Sequence, residues 1–181
     1  SAMQLLCGRF NFAAAENRMK QNLSTKSLSK FGICLLALFG FGVSAMELER
    51  SLVEATDLSR DGGMVKDQRV LMIEFSSEYC AFCRKLEKEF LTPMLQNDEY
   101  HKKVLIRTLS LSDDNDIVDF NGHTVSASEL ASRYDVDLTP TLLFLGSDGR
   151  EISERLVGIW STDFYGGFID ERIESGLSAL K

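Results

Sequence analysis

Two cysteines three residues apart, placed where an apolar strand gives way to a helix, constrain this chain more than any other feature. The run Val70-Leu71-Met72-Ile73-Glu74-Phe75 is rich in strand formers, Ser76-Ser77-Glu78-Tyr79 reads as a turn, and Cys80-Ala81-Phe82-Cys83 opens the next segment. Beyond it Leu86, Phe90 and Leu91 share one face among Arg84, Lys85 and Lys88, which predicts a helix over 83–95 with Pro93 kinking or ending its first part. A thiol at a helix N-terminus meets unpaired N–H groups and the positive end of the helix dipole, both of which favour the thiolate. A second thiol one turn deeper can attack the first in a mixed disulfide. A structural staple explains the pair poorly, because so small a loop gains little chain-entropy stabilisation. The pattern predicts redox chemistry on thiols.

The compartment follows from the N-terminal third. Residues 31–43 form an uncharged apolar run, preceded by Lys20, Lys26 and Lys30 and followed by the small residues Ser44-Ala45. Basic flank, short apolar stretch and small-residue cleavage site predict a secretory signal peptide over 19–45, with an uncleaved membrane anchor as the alternative. The mature protein is then expected to start near Met46. Residues 1–18 are expected to be a tag scar (Ser1-Ala2) followed by an over-long start assignment ahead of Met19.

Of 4 cysteines, Cys7 and Cys34 fall before residue 46, leaving Cys80 and Cys83 for an oxidising compartment. The net charge of −7 moves to about −11 without the leader, with 15 basic and 26 acidic residues remaining. So acidic a surface argues against nucleic acid and anionic membrane as partners.

From 46 to 181 the chain reads as one domain, in the order α-β-α-β-α-β-β-α. Residues 48–58 read as an amphipathic helix that Asp61-Gly62-Gly63 stops. Residues 104–111 read as a mostly apolar strand interior to a sheet. Ser112 to Asp116 reads as a solvated acidic loop, since it lacks the glycine and distal glutamate of a calcium loop. Asn121-Gly122 marks a turn, and Ser126-Ala127-Ser128-Glu129 is a capping box for a short helix. Thr139-Pro140-Thr141 leads into the strand 142–145, which Gly146-Ser147-Asp148-Gly149 turns back into 152–157. Ser161-Thr162-Asp163 can cap a last helix with Phe164, Phe168, Ile169 and Ile173 inward.

Together these segments resemble the thioredoxin superfamily over nearly all of 46–181. Ile73 to Cys83 resembles its strand and active-site loop, with Tyr79 where a tryptophan is usual. Thr139-Pro140-Thr141-Leu142 resembles the cis-proline segment, Gly146 to Gly149 the hairpin turn, and Val157-Gly158 the step before the last helix. The insert from Asp119 to Tyr134 is similar to that of exported thioredoxin-like proteins of bacterial sulfur-oxidation and cytochrome-maturation systems. The resemblance implies an α/β thioredoxin-like fold, with a central mixed sheet of about four strands flanked by helices and an inserted helix before the cis-Pro strand.

It also implies roles. Cys80 would be the attacking nucleophile and Cys83 the resolving thiol. Pro140 would be cis, against the simpler reading of a trans proline starting a strand, and Thr139 would offer its backbone to an extended substrate. Tyr79 and Phe82 could rim the substrate site or pack locally. Glu74 matches a buried carboxylate that moves the resolving thiol's proton; read from alternation alone, it faces outward unless both faces of the sheet are covered.

The expected function is an exported thiol–disulfide oxidoreductase, with no cofactor beyond the Cys80–Cys83 disulfide. Its expected partners are cysteine-containing exported proteins and a membrane thiol electron donor, and it is expected to be a monomer. A periplasmic oxidase or isomerase, and a non-catalytic partner-binding module, are the alternatives. His101 and His123 nominally complete a Cys₂His₂ zinc set, but they lack ligand spacing and lie in loop-like contexts, so no metal is expected.

Overall fold

The structure is a computed structural model that describes residues 50–66, 68–113 and 115–181. The expected leader and signal segments, and the start of the 48–58 segment, lie outside the described residues. All those described belong to one unit, Ala45–Lys181.

Alternation organises the sheet. In β1 (Val70–Ser76) every residue is buried, because both faces are covered. Leu71, Ile73 and Phe75 enter one apolar cluster with Leu58, Leu130, Leu143 and Leu145. Val70 and Met72 enter the other, with Leu86, Leu91, Phe144, Tyr165 and Ile169. Four strands run in the order β2-β1-β5-β6. β2 (Val104–Ser110) is parallel to β1, β5 (Thr141–Leu145) antiparallel to it, and β6 (Glu151–Val157) antiparallel to β5. This is the predicted mixed four-stranded thioredoxin-like sheet. Around it lie α1 (Leu58–Val65), α2 (Ala81–Leu86), α3 (Thr92–Gln96), α4 (Asp98–Lys103), α5 (Ala127–Arg133) and α6 (Tyr165–Ala179). No helix among the described residues is long and apolar enough to cross a membrane.

The first helix is not where periodicity placed it. Residues 50–57 are extended or bent, and Ala55 donates to the Thr108 carbonyl (2.8 Å) while Thr108 donates to Val53 (3.1 Å). The helix starts after Asp57, whose carboxylate accepts from the Arg60 amide at 2.8 Å, and it runs through the glycines read as its stop. Gly62 is there for packing: a Cβ would run into the Ser147 carbonyl. Asp61 is buried and pairs with Arg107 through two bonds of 2.8 Å.

β2, expected inside the sheet, is an edge strand, apolar because both its faces are covered. The acidic loop ends in a short hairpin, β3 (Asp116–Val118) with β4 (Thr124–Ser126), whose turn lies at Asn121-Gly122 as expected but whose three-residue strands were not expected. Asp119 is buried behind its turn and accepts from the amides of Asn121 and His123 and from Arg133. Those donors, the His123 amide first, hold its pKa down at about 2.

The long helix is segmented. A π-turn, Glu87–Leu91, joins α2 to α3, and Pro93 falls in the first turn of α3, where a missing N–H is tolerated. The last helix is capped differently from expectation. Phe164 occupies the cap position with no side-chain bond and points outward, while Tyr165 is buried in its place. The N-cap half of the box at Ser126 forms as read, its hydroxyl accepting from the Glu129 amide at 3.1 Å, while the Glu129 carboxylate accepts from Arg133 at 2.6 Å instead of closing the box.

Candidate active site

Three chain segments meet at one end of the sheet. β1 ends at Ser76, four residues before Cys80. Thr141, the first residue of β5, pairs with Phe75, and Val157, the last of β6, pairs with Thr141. The cysteines, Pro140 and Gly158 therefore leave the sheet side by side.

Cys80 is the N-cap of α2, and the Cys83 amide donates to its sulfur at 3.0 Å. The two cysteines form a disulfide with Cα atoms 5.2 Å apart. Cys83 is buried, whereas Cys80 is partly open to solvent. That asymmetry is what an attacking and a resolving thiol require. Tyr79 and Phe82, on either side of Cys80, are 85% and 59% exposed, so neither is spent on local packing. Arg84, one of the cations flanking the helix, is anchored to the Glu78 carbonyl at 3.0 Å and holds the preceding turn.

Glu74 is fully buried on the face of β1 that α2 and α6 cover, and neither carboxyl oxygen has a hydrogen-bond partner. Desolvation pushes its pKa up to about 8, with the charge of Glu87 adding to the effect. Such a carboxyl holds its proton at neutral pH and lies close to the range of an ordinary thiol, about 8.5. Glu87 follows Cys83 by one helical turn, and its own pKa is raised by burial, with Arg84 opposing. Its carboxylate makes no hydrogen bond or salt bridge to another described residue.

The Thr139–Pro140 peptide bond is cis. Pro140 is buried and accepts from the Gly158 amide at 2.8 Å; the Thr141 hydroxyl donates to Leu138 at 2.8 Å. The backbone of Thr139 has no backbone partner among the described residues, so it is free to pair with another chain. A cavity of about 240 Å³ flanks this segment, lined by Leu138, Thr141 and Val157 with Asp137 and Arg155. A second, of about 320 Å³ between α4 and α6, is bordered by Tyr100, Lys103, Asp170 and Glu174 and involves none of the expected site residues.

The histidines go elsewhere. His101 sits on α4, not in a loop, with Nε2 2.8 Å from the Leu95 carbonyl, and His123 stands 3.7 Å from Asp119. Among the described residues, no three His, Cys, Asp or Glu side chains are placed to hold a metal ion. Sequence reasoning overlooked Glu87, although its four-residue spacing from Cys83 was a signal.

Fold and site together define a thioredoxin-fold protein with a dithiol/disulfide centre. The chain belongs to the thioredoxin-like domain family, whose model matches residues 64–169. Among solved structures, oxidised mitochondrial thioredoxin 3 of Saccharomyces cerevisiae is 23% identical, over 66% of this chain and 94% of that one, with a TM-score of 0.43. The oxidised C-terminal domain of DsbD from Neisseria meningitidis is 14% identical, over 66% and 99%, with a TM-score of 0.48. A thioredoxin mutant from Halobacterium salinarum is 20% identical, over 68% and 91%, with a TM-score of 0.42. No curated protein sequence matches the chain.

Proposed function

We propose that the protein is an exported thiol–disulfide oxidoreductase that reduces disulfides of other exported proteins, like the sulfur-oxidation and cytochrome-maturation proteins it resembles. One observation carries the reading: a partly open Cys80 and a buried Cys83 share a disulfide just beyond the strand that holds a buried, unpartnered Glu74. In the reduced protein, the Cys80 thiolate attacks a substrate disulfide, forming a mixed disulfide and releasing the first substrate thiolate. Cys83 passes its proton to the ionised fraction of Glu74, small at neutral pH and growing as pH approaches 8. The Cys83 thiolate then attacks Cys80, the Cys80–Cys83 bond forms, and the second substrate thiol leaves as the substrate gains two electrons. A membrane thiol donor returns two electrons to the protein. Thr139 pairs with the substrate backbone, beside Pro140, while Tyr79 and Phe82 border the attacked bond.

The reduction potential of the Cys80–Cys83 pair, measured on the chain from residue 46 in graded dithiothreitol buffers, tests this. A value near or below about −250 mV, with insulin reduction, supports the reductase. A value between about −120 and −180 mV redirects the reading to an oxidase or isomerase. Reduction only below about −300 mV without turnover would replace it with a binding module holding a permanent disulfide.

A further inference from the structure

We infer that Trp160 selects substrates by the side chain next to their reactive cysteine, with Tyr165 as the positioning residue that holds it at the site. The inference rests on the exchange reaction proposed above.

The argument starts at Gly158. Its φ of 67° turns the chain sharply as β6 ends, and its amide is tied to the Pro140 carbonyl at 2.8 Å. Its own carbonyl accepts from the Tyr165 hydroxyl at 2.9 Å. Tyr165 is completely buried, and a buried phenol needs such an acceptor. The peptide groups of Gly158 are therefore held by the proline segment on one side and by the start of α6 on the other. The loop between these anchors carries the only tryptophan of the chain.

Trp160 packs its edge on Tyr165, with ring centroids 5.4 Å apart at 70°, and lies 5.5 Å from Phe168. It is nevertheless 56% exposed. An indole fixed along one side and open on the other is a platform for an apolar group.

Its surroundings point the same way. Eight large apolar side chains are exposed among the described residues, and all but Val53 and Met64 belong to the three segments that converge on the disulfide. Scattered apolar residues are ordinary on a surface; a concentration around one reactive bond marks a contact surface. The occupant that fits is an extended cysteine-bearing segment of another protein, with an aromatic or bulky aliphatic residue beside that cysteine.

The test uses the Cys83→Ala protein, full chain with Cys7 and Cys34 replaced by serine so that Cys80 is its one thiol, which stops at the mixed disulfide. Two probes are symmetrical disulfides of short tryptophan-free peptides that differ only in a Phe or a Ser next to the cysteine. The Cys80 thiolate attacks the probe, a Cys80–peptide disulfide forms, and the other peptide leaves as a thiolate with no net oxidation. The Phe probe is expected to react roughly tenfold faster or more, the scale on which apolar pockets discriminate. It alone should shift the Trp160 emission. The Phe-over-Ser ratio should fall toward one in Trp160→Ala and in Tyr165→Phe, with thermal melts separating loss of selectivity from loss of fold. Because Trp160 is largely exposed, its replacement keeps the test valid if Tyr165→Phe does not fold. Mixed disulfides forming at equal rates, with unchanged emission, would overturn the inference and leave the exchange reaction standing. No mixed disulfide with either probe would overturn both.

Discussion

Glu74 and Glu87 form a one-sided carboxyl pair: the first is sealed in the sheet with both oxygens unbonded, and the second is half-exposed with a charge that raises its partner's pKa. Burial is the larger cause, the neighbouring charge the smaller. The order matters, because it says what each substitution should do.

Glu74→Gln should stabilise the protein at neutral pH. The native carboxyl titrates near 8, the unfolded one near 4.5, so between those values the native state binds the extra proton. Native stability therefore falls as pH rises through that window and levels off above about 8. At pH 7 the gain from Gln should be up to roughly 3 kcal/mol, at 1.36 kcal/mol per unit, and at pH 4 it should be close to nil. Urea unfolding of both proteins at pH 4, 7 and 8.5 measures it; a pH-independent difference would contradict the assignment.

Glu87→Gln should move the same titration without abolishing it. With the charge gone, the Glu74 pKa should drop by less than about one unit and stay well above the ordinary carboxyl range, because burial remains. The pH midpoint for release of substrate from a Cys80 mixed disulfide should shift to lower pH by that amount. Stopped-flow rates between pH 6 and 9 give the midpoint directly.

Asp61→Asn should be among the costliest substitutions. Arg107, whose side chain is only 11% exposed, would keep its charge without the carboxylate that meets it twice. Breaking a buried pair from one side costs roughly 3–5 kcal/mol. Replacing both residues by leucine should recover most of that loss, which a double-mutant comparison by chemical denaturation would show.

Adjacent glycines in α1 should respond with opposite signs. At Gly63 an added methyl meets nothing within 4 Å, so Gly63→Ala should gain about 0.5–1 kcal/mol of helix stability. At Gly62 the obstacle is the Ser147 carbonyl, a backbone atom, so Gly62→Ala should lose roughly 1–3 kcal/mol. Two thermal melts decide it.

The sequence carried the parts of the site that are local. Cys80 and Cys83 sit where strand and helix patterns meet, Ser126 and Glu129 cap over three residues, and Thr139-Pro140 opens a strand. Each can be read within one short window. What escaped depends on distant partners. The apolar residues between Leu52 and Leu58 fit a helix as well as a strand, and bonds to Thr108, far along the chain, chose the extended form. Gly62 reads as a helix stop until Ser147 is seen pressing on it. In α6 the inward positions Phe168, Ile169 and Ile173 held and only Phe164 did not, because Tyr165, its hydroxyl held by Gly158, takes the inward place at the helix start and leaves Phe164 outside. Glu74 was ambiguous for the same reason: alternation gives its face, and only the helices above show that this face is closed.

The extended stretch before α1 also bears on where this domain can be cut. The family match starts at residue 64, yet Val53 and Ala55 bond to Thr108 on the outer side of β2, and Asp57 caps α1 from ahead of that boundary. A fragment begun at the start of the match would keep every residue of the redox site but lose most of α1 and the seal on its sheet. Its bare β2 edge would then be open to the same edge in a second copy, so such a fragment should associate through a strand that the intact chain keeps covered.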